Sequence, residues 1–272
     1  MVSLARTTTG TPVVGDDEGF VPLQSVAPRL DSVRATLPLA ASGELPTPDD
    51  ATTERVPTPH LSFGPPLSDL GKLWGIGLNY AEHAADLDEN RPTEPASFMK
   101  PASAVVGPGG PIRLPPTDIS DRVTAEGELA VVISRTCSNL DETEAEDVIA
   151  GYLPVIDMTA EDILERNPRY LTRAKSFDSF LVLGSTIVTP DEVDDLTNTT
   201  VRTVRNGEVV AENTVANMMT KPTELVSFHS AVMTLEPGDL ISTGTPGAAR
   251  IEPGDSVRAV VEDVGSVSAN VV

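Results

Sequence analysis

From Val123 to Arg135 the chain reads VTAEGELAVVISR, and no other stretch constrains its fold so strongly. The run is the clearest strand in the sequence. Side chains two apart on a strand share a face. Glu126, Glu128, Ala130 and Val132 therefore line one side, and Leu129, Val131 and Ile133 the other. Two carboxylates stand side by side at the mouth of an otherwise apolar strand. Like charges this close raise each other's pKa and cost stability unless something positive lies between them, and a divalent cation does that well. Hard oxygen ligands suit Mg²⁺, Mn²⁺ or Ca²⁺. Read alone, the pair is also consistent with a solvated strand end carrying two surface acids. Asp157, which closes the apolar strand Tyr152–Ile156, is available as a third ligand, although an acid there also serves as a helix cap or turn residue.

The surrounding chain is cut into short pieces. Leu73–Gly77 reads as a buried strand and Asn79–Leu87 as one or two helical turns. After the long strand come a short acidic helix over Glu142–Ala150 and a strand at Gly151–Asp157. Val201–Arg205 and Glu208–Asn213 flank Asn206-Gly207, a type I′ hairpin signal. Pro222–Met233 is the clearest helix, with Pro222 in its first turn. Two Glu-Pro-Gly-Asp turns, at 236–239 and 252–255, each lead into a short strand. Many short strands with few helices predict an α+β, β-rich fold and not a doubly wound sheet. Residues 1–70 are rich in Thr, Pro, Ser and Asp, with a weak helical stretch near Leu23–Leu37 and a Pro-rich run at Pro57–Pro66. They read as a small N-terminal subdomain and linker ahead of a catalytic domain at 71–272, with a partly disordered arm as the alternative.

Composition narrows the function. The 41 acidic and 19 basic residues give a formal net charge of −22, which repels nucleic acid and anionic membrane alike. Only four of the basic residues are lysine, namely Lys72, Lys100, Lys175 and Lys221. Such a surface is expected of a protein adapted to high salt, where counterions screen self-repulsion. No apolar run approaches the ~18–20 residues of a membrane span. MVSLARTTTG has no apolar signal core, and Cys137 alone cannot build a disulfide framework, so a cytoplasmic location is expected.

Other groups are candidates for chemistry. His83 and Asp86, three apart on a short helix, share a face, and the carboxylate would raise the basicity of the imidazole. A half-exposed His with a chance acidic neighbour is the plainer reading. Lys175 stands out in so lysine-poor a chain, and is otherwise an ordinary loop lysine. Thr243-Gly244-Thr245-Pro246 offers small residues through which backbone N–H groups can approach an anion, or is a tight turn and nothing more. His229 reads as a packed helix residue and His60 as part of the linker.

Nine stretches standing in order resemble the fumarylacetoacetate hydrolase superfamily over Leu73–Val272. They are GIGLNYAEHAADL (75–87), FMKPASAVVGPGGPIRLP (98–115), AEGELAVVI (125–133), GYLPVIDMTAED (151–162), AKSFDSF (174–180), LGSTIVTPDEV (183–193), RNGEVV (205–210), LEPGDLISTGTPG (235–247), and EPGDSV with the following GSVSANVV. The resemblance implies a mixed β-sandwich roll, a homodimer, and a metal held by Glu126, Glu128 and Asp157. It implies that Lys175 neutralises developing charge on a 2-oxo carboxylate, that His83, oriented by Asp86, handles the proton or water, and that Tyr80, Lys175, Gly244 and Thr245 contact the substrate. Here Asp86 replaces the Glu of similar proteins. Glu161 and Leu164 stand where many relatives carry Arg and several carry Gln. The implied reaction is acylpyruvate-type C–C hydrolysis or a related isomerisation or decarboxylation. A 2-keto-3-deoxy sugar acid dehydratase on the same fold, and a non-catalytic binding protein with a structural metal, are the alternatives.

Overall fold

In the computed structural model, which describes residues 1–81 and 93–272, two sheets pack around the strand singled out above. That strand spans Val123–Ile133 and is buried at every residue. Its antiparallel partner, Ile149–Ala160, is buried throughout as well, and sets Glu126 opposite Asp157 and Ala130 opposite Leu153. The pair lies in the middle of a large sheet ordered Gly19–Pro22, Pro12–Asp16, Ser3–Arg6, Thr186–Val188, Ile149–Ala160, Val123–Ile133, Leu240–Ser242, Leu73–Gly77 and Ala96–Lys100. A second sheet runs Glu208–Thr214, Thr200–Arg205, Ser256–Val261, Gly265–Val271 and Gly109–Ile112.

The second sheet shows why the two pack. Along Ser256–Val261 the chain alternates, with Val257, Ala259 and Val261 buried while Ser256 and Arg258 face solvent. Val257, Ala259, Val267, Ala269 and Val271 form one apolar cluster with Val123, Ala125, Ile156 and Met158 of the large sheet. Burying each Val or Ile contributes about 1.5–3 kcal/mol. The sheets come close at Gly127, whose N–H donates to Thr203 Oγ1 at 2.8 Å. A Cβ at Gly127 would stand 2.6 Å from the Arg202 carbonyl oxygen. The residue between the two glutamates is thus glycine because another backbone passes directly over it.

Several expectations meet their physical limits here. The hairpin forms as read, with φ of 52° at Asn206 and 84° at Gly207. The Glu-Pro-Gly-Asp turns form too, each closed by its Asp accepting the Glu backbone N–H, Asp239 at 2.8 Å and Asp255 at 2.9 Å. The acidic helix is shorter than read, Glu142–Glu146, because Ile149 and Ala150 are drawn into the long strand, where Ile149 pairs with Ile133. The helical stretch near Leu23–Leu37 is two helices, Leu23–Val26 and Val33–Ala41. Pro28 separates them, and Ala27 before it is extended, as a residue preceding proline prefers. Residues 1–70 extend the large sheet: Ser3–Arg6 pairs antiparallel with Thr186–Val188. Leu4, Val14, Val21, Leu23 and Leu37 share one apolar cluster with Ala130, Val132, Leu153 and Leu183. No helix among the described residues is long and apolar enough to cross a membrane.

Candidate metal centre

The register places the acids. Glu126 and Asp157 are direct partners across two antiparallel strands, so their side chains leave the sheet on the same face, and Glu128 follows two residues on. All three are buried, at 6%, 1% and 0% exposure for Glu126, Glu128 and Asp157. Each offers a carboxylate oxygen, and these oxygens all lie within 4.8 Å of one another. The burial rules out the solvated strand end as a description of this pair.

Two lysines enter the same cluster. Lys175, the last residue of the helix Leu171–Lys175, donates to Glu126 Oε2 at 2.8 Å and Asp157 Oδ1 at 3.3 Å. Lys100, at the end of the strand Ala96–Lys100, lies 2.7 Å from Asp157 Oδ1. The ring of Phe98 sits beneath both ammonium groups, 4.8 Å from Lys175 Nζ and 5.9 Å from Lys100 Nζ. Their duties differ. Lys100 Nζ also donates to the carbonyls of Met158 at 3.1 Å, Phe180 at 2.8 Å and Lys175, so its three N–H groups already have four acceptors. Lys175 has two acceptors and a third N–H to give. Sequence reasoning missed Lys100. Its signals were the scarcity of lysine and its place in Phe98-Met99-Lys100-Pro101.

The remaining oxygens are mostly engaged. Thr159 Oγ1 donates to Glu126 Oε1 at 2.6 Å, and Glu128 Oε2 accepts from Ser242 Oγ and from the Gly244 N–H, the latter at 2.9 Å. Asp157 Oδ2 and Tyr80 Oη are buried without a hydrogen-bond partner. An orphaned buried polar atom costs about 1–3 kcal/mol, so such atoms mark a place shaped to be filled. Tyr80 is fully buried, and burial and then the nearby Glu128 push its hydroxyl pKa up. Asn79 beside it is clamped: its side chain donates to the carbonyls of Thr243 at 2.7 Å and Thr220 at 2.9 Å and accepts the Thr220 N–H at 2.9 Å. That clamp ties the residue before Tyr80 to the loop carrying Gly244. The hydroxyl of Thr245 turns back on its own loop, donating to the Gly247 carbonyl at 2.9 Å.

The charges do not balance on their own. Three carboxylates face two ammonium groups, leaving one negative charge buried. The protein answers with a proton: burial first, then Asp157 and Glu126, push Glu128 up to about 8. Burial also raises Asp157 against the pull of Lys100 and Lys175. Burial lowers Lys100 to about 8, whereas in Lys175 the three acids outweigh burial and raise it. Hard oxygen donors, a surplus negative charge and the unpartnered Asp157 Oδ2 together fit a divalent cation held by Glu126, Glu128 and Asp157.

His83 and Asp86 lie outside the described residues. His229 is buried: its Nδ1 contacts the Leu225 carbonyl at 2.6 Å and its Nε2 the Ser97 hydroxyl at 2.8 Å, as a packed helix residue should. His60 is exposed on a short 3₁₀ turn. Glu161, the first residue of the helix Glu161–Arg166, accepts a hydrogen bond from Thr124 Oγ1 at 3.0 Å.

The chain is similar to known proteins over most of its length. Residues 72–272 match the family described as fumarylacetoacetate (FAA) hydrolase C-terminal. A 4-hydroxyphenylacetate degradation bifunctional isomerase/decarboxylase of Escherichia coli is 36% identical over 233 residues, 85% of this chain and 54% of that protein. A mitochondrial oxaloacetate tautomerase of Xenopus laevis is 36% identical over 222 residues, 78% of this chain and 69% of that one. Maleylpyruvate hydrolase from Sphingobium sp. SYK-6, solved with manganese(II) and pyruvate, superposes with a TM-score of 0.80 at 26% identity, covering 99% of this chain and 98% of that one.

Proposed function

The chain belongs to the fumarylacetoacetate hydrolase family of enzymes, and from that premise we propose that it acts on a 2-oxo carboxylate with a divalent cation, Mg²⁺ or Mn²⁺, held by Glu126, Glu128 and Asp157. The observation that carries this reading is the buried cluster of three acids and two lysines with one negative charge unmatched and Asp157 Oδ2 unpartnered. When bound, such a cation supplies Lewis acidity toward the keto and carboxylate oxygens of the substrate and stabilises an enolate.

The protein's own groups do the rest. Lys175 has one N–H left after Glu126 and Asp157, and that donor neutralises negative charge developing on the substrate. Lys100 is saturated and holds Asp157 Oδ1, while Oδ2 stays buried without a partner. Thr159, Ser242 and the Gly244 N–H fix the two glutamates, so the carboxylates need no rearrangement on binding. Tyr80 Oη offers a buried donor at the same place. Gly244 and Thr245 line the turn beside it, and His83, oriented by Asp86, is the proposed carrier of the proton. With a C–C bond to cleave, this set supports hydrolysis or decarboxylation; with only a proton to move, isomerisation. The names of the relatives span these outcomes.

The test is a metal-stripped protein assayed with Mg²⁺ or Mn²⁺ against acylpyruvates, oxaloacetate and 2-keto-3-deoxy sugar acids, with Mn²⁺ binding measured in parallel by calorimetry. Metal-dependent turnover of one class is expected. Absence of Mn²⁺ binding would overturn the ligand set, and Mn²⁺ binding without any turnover would return the protein to a binding role.

A further inference from the structure

A fourth carboxylate shares the face of the metal centre. Thr124 and Glu126 are two apart on one strand and pair with Thr159 and Asp157 on the next, so all four side chains leave the sheet on the same side. Two residues along a strand span roughly 7 Å. The Thr159 hydroxyl donates to Glu126 Oε1 at 2.6 Å, and the hydroxyl of its cross-strand partner Thr124 donates to Glu161 Oε1 at 3.0 Å. Glu161 is half-buried, with its backbone N–H tied to the Arg122 carbonyl at 2.9 Å. It stands at the rim of the cluster, close enough for Glu126 and Lys175 both to act on its carboxyl.

Lys175 and Arg122 offset it in part, but both are shared with other acids. The Arg122 guanidinium is paired with Glu165, and Arg166 with Asp162 at 2.5 Å. Arg173 is exposed and, two residues from Lys175 on a helix, faces away from it. Leu164, one helical turn beyond Glu161, is half-buried and adds an apolar group to the same helix face. With a divalent cation the three ligand acids and two lysines carry one net positive charge, and Glu161 cancels it. A 2-oxo monocarboxylate then brings the site to one negative charge and a dicarboxylate to two, the second facing Glu161. Burial and then Glu126 raise the pKa of Glu161, against the Thr124 hydrogen bond and the pull of Lys175 and Arg122.

We infer that the part of a substrate beyond its 2-oxo carboxylate head passes Glu161, and that Glu161 thereby makes this site select 2-oxo monocarboxylates with an uncharged tail and reject 2-oxo dicarboxylates. The inference rests on the 2-oxo acid reading above and names the substrate class within it. The experiment compares 2-oxopentanoate with 2-oxoglutarate, two five-carbon acids with the same head, one ending in a methyl and the other in a carboxylate. Their affinities for the Mn²⁺-loaded protein are measured by calorimetry for the wild type, Glu161→Gln and Glu161→Arg, with pyruvate as a control lacking the tail. A tail carboxylate held within ~7 Å of Glu161 near a protein surface would support a preference of about tenfold or more. The wild type should therefore bind 2-oxopentanoate at least ~10-fold tighter, Glu161→Gln should reduce that ratio at least ~3-fold, and Glu161→Arg should invert it. Pyruvate affinity should stay within about threefold throughout, because pyruvate has no group at the rim. Should Glu161→Arg not fold, the Gln variant alone decides. A ratio unchanged by substitution, or a wild type that prefers 2-oxoglutarate, overturns the inference and leaves the 2-oxo acid reading standing. A wild type that binds none of the three acids overturns both.

Discussion

Replacing Lys100 by methionine keeps an unbranched apolar stem and removes the terminal ammonium group. In the folded protein that group lies 2.7 Å from Asp157 Oδ1 and serves the carbonyls of Met158, Phe180 and Lys175. Breaking a buried ion pair by deleting one partner costs about 3–5 kcal/mol, because the other charge stays buried. Lys175 still reaches Asp157 Oδ1, at 3.3 Å, which holds the loss toward the lower end of that range. Against a total stability of about 5–15 kcal/mol the loss is large, and in EDTA the melting temperature should fall on the order of 10 °C. The cluster then carries three acids against one lysine. A divalent cation should bind the folded variant about tenfold more tightly and restore more stability to it than to the wild type. Lys175→Met should share the metal effect but lose turnover as well, since Lys175 alone has an N–H to spare. Thermal melts in EDTA and in graded Mn²⁺ read both effects. A Lys100→Met protein that melts in EDTA within about 2 °C of the wild type would refute the reasoning, because four acceptors would then have lost their donor at no cost.

Glu126→Gln, Glu128→Gln and Asp157→Asn should each abolish metal-dependent activity and weaken Mn²⁺ binding at least ~100-fold while the protein stays folded; normal Mn²⁺ affinity in Glu126→Gln would reject the ligand set. Without metal, Glu128 has a folded pKa raised to about 8, so its contribution to stability is complete below the ordinary Glu range and is lost as pH rises toward 8. The cation displaces that proton, so Mn²⁺ affinity should climb with pH and level off near 8. Calorimetry across pH in buffers of different ionisation enthalpy reads the released proton, and a flat affinity from pH 5.5 to 8 would exclude the exchange. His83→Ala should lower turnover by about 10²–10⁴-fold and leave Mn²⁺ and oxalate affinity nearly unchanged, with a smaller loss in Asp86→Asn; full activity in His83→Ala would place the proton carrier elsewhere. A chain of net charge −22 should associate as a dimer in molar salt and loosen as salt is removed, which light scattering tests; a monomer at every salt concentration would be the contrary result.

What the sequence determined by itself is local. Asn206-Gly207 closes its hairpin because both residues accept positive φ, and the two Glu-Pro-Gly-Asp turns close on their own aspartates. The spacing of Glu126 and Glu128 places both on one face wherever the strand lies, because a strand repeats every two residues. Only the tertiary structure decided that these acids are buried, and what they face. The register that sets Asp157 against Glu126 joins segments 31 residues apart, and Gly244 folds back to cap Glu128 from 116 residues away. Lys100 is the clearest case. Along the chain it is one lysine among four; in the fold it is a saturated counter-charge beneath Asp157, and no period or turn signal predicts that. Coulombic balance depends on distance and local dielectric, and both exist only once the sheets have closed over the cluster and excluded water.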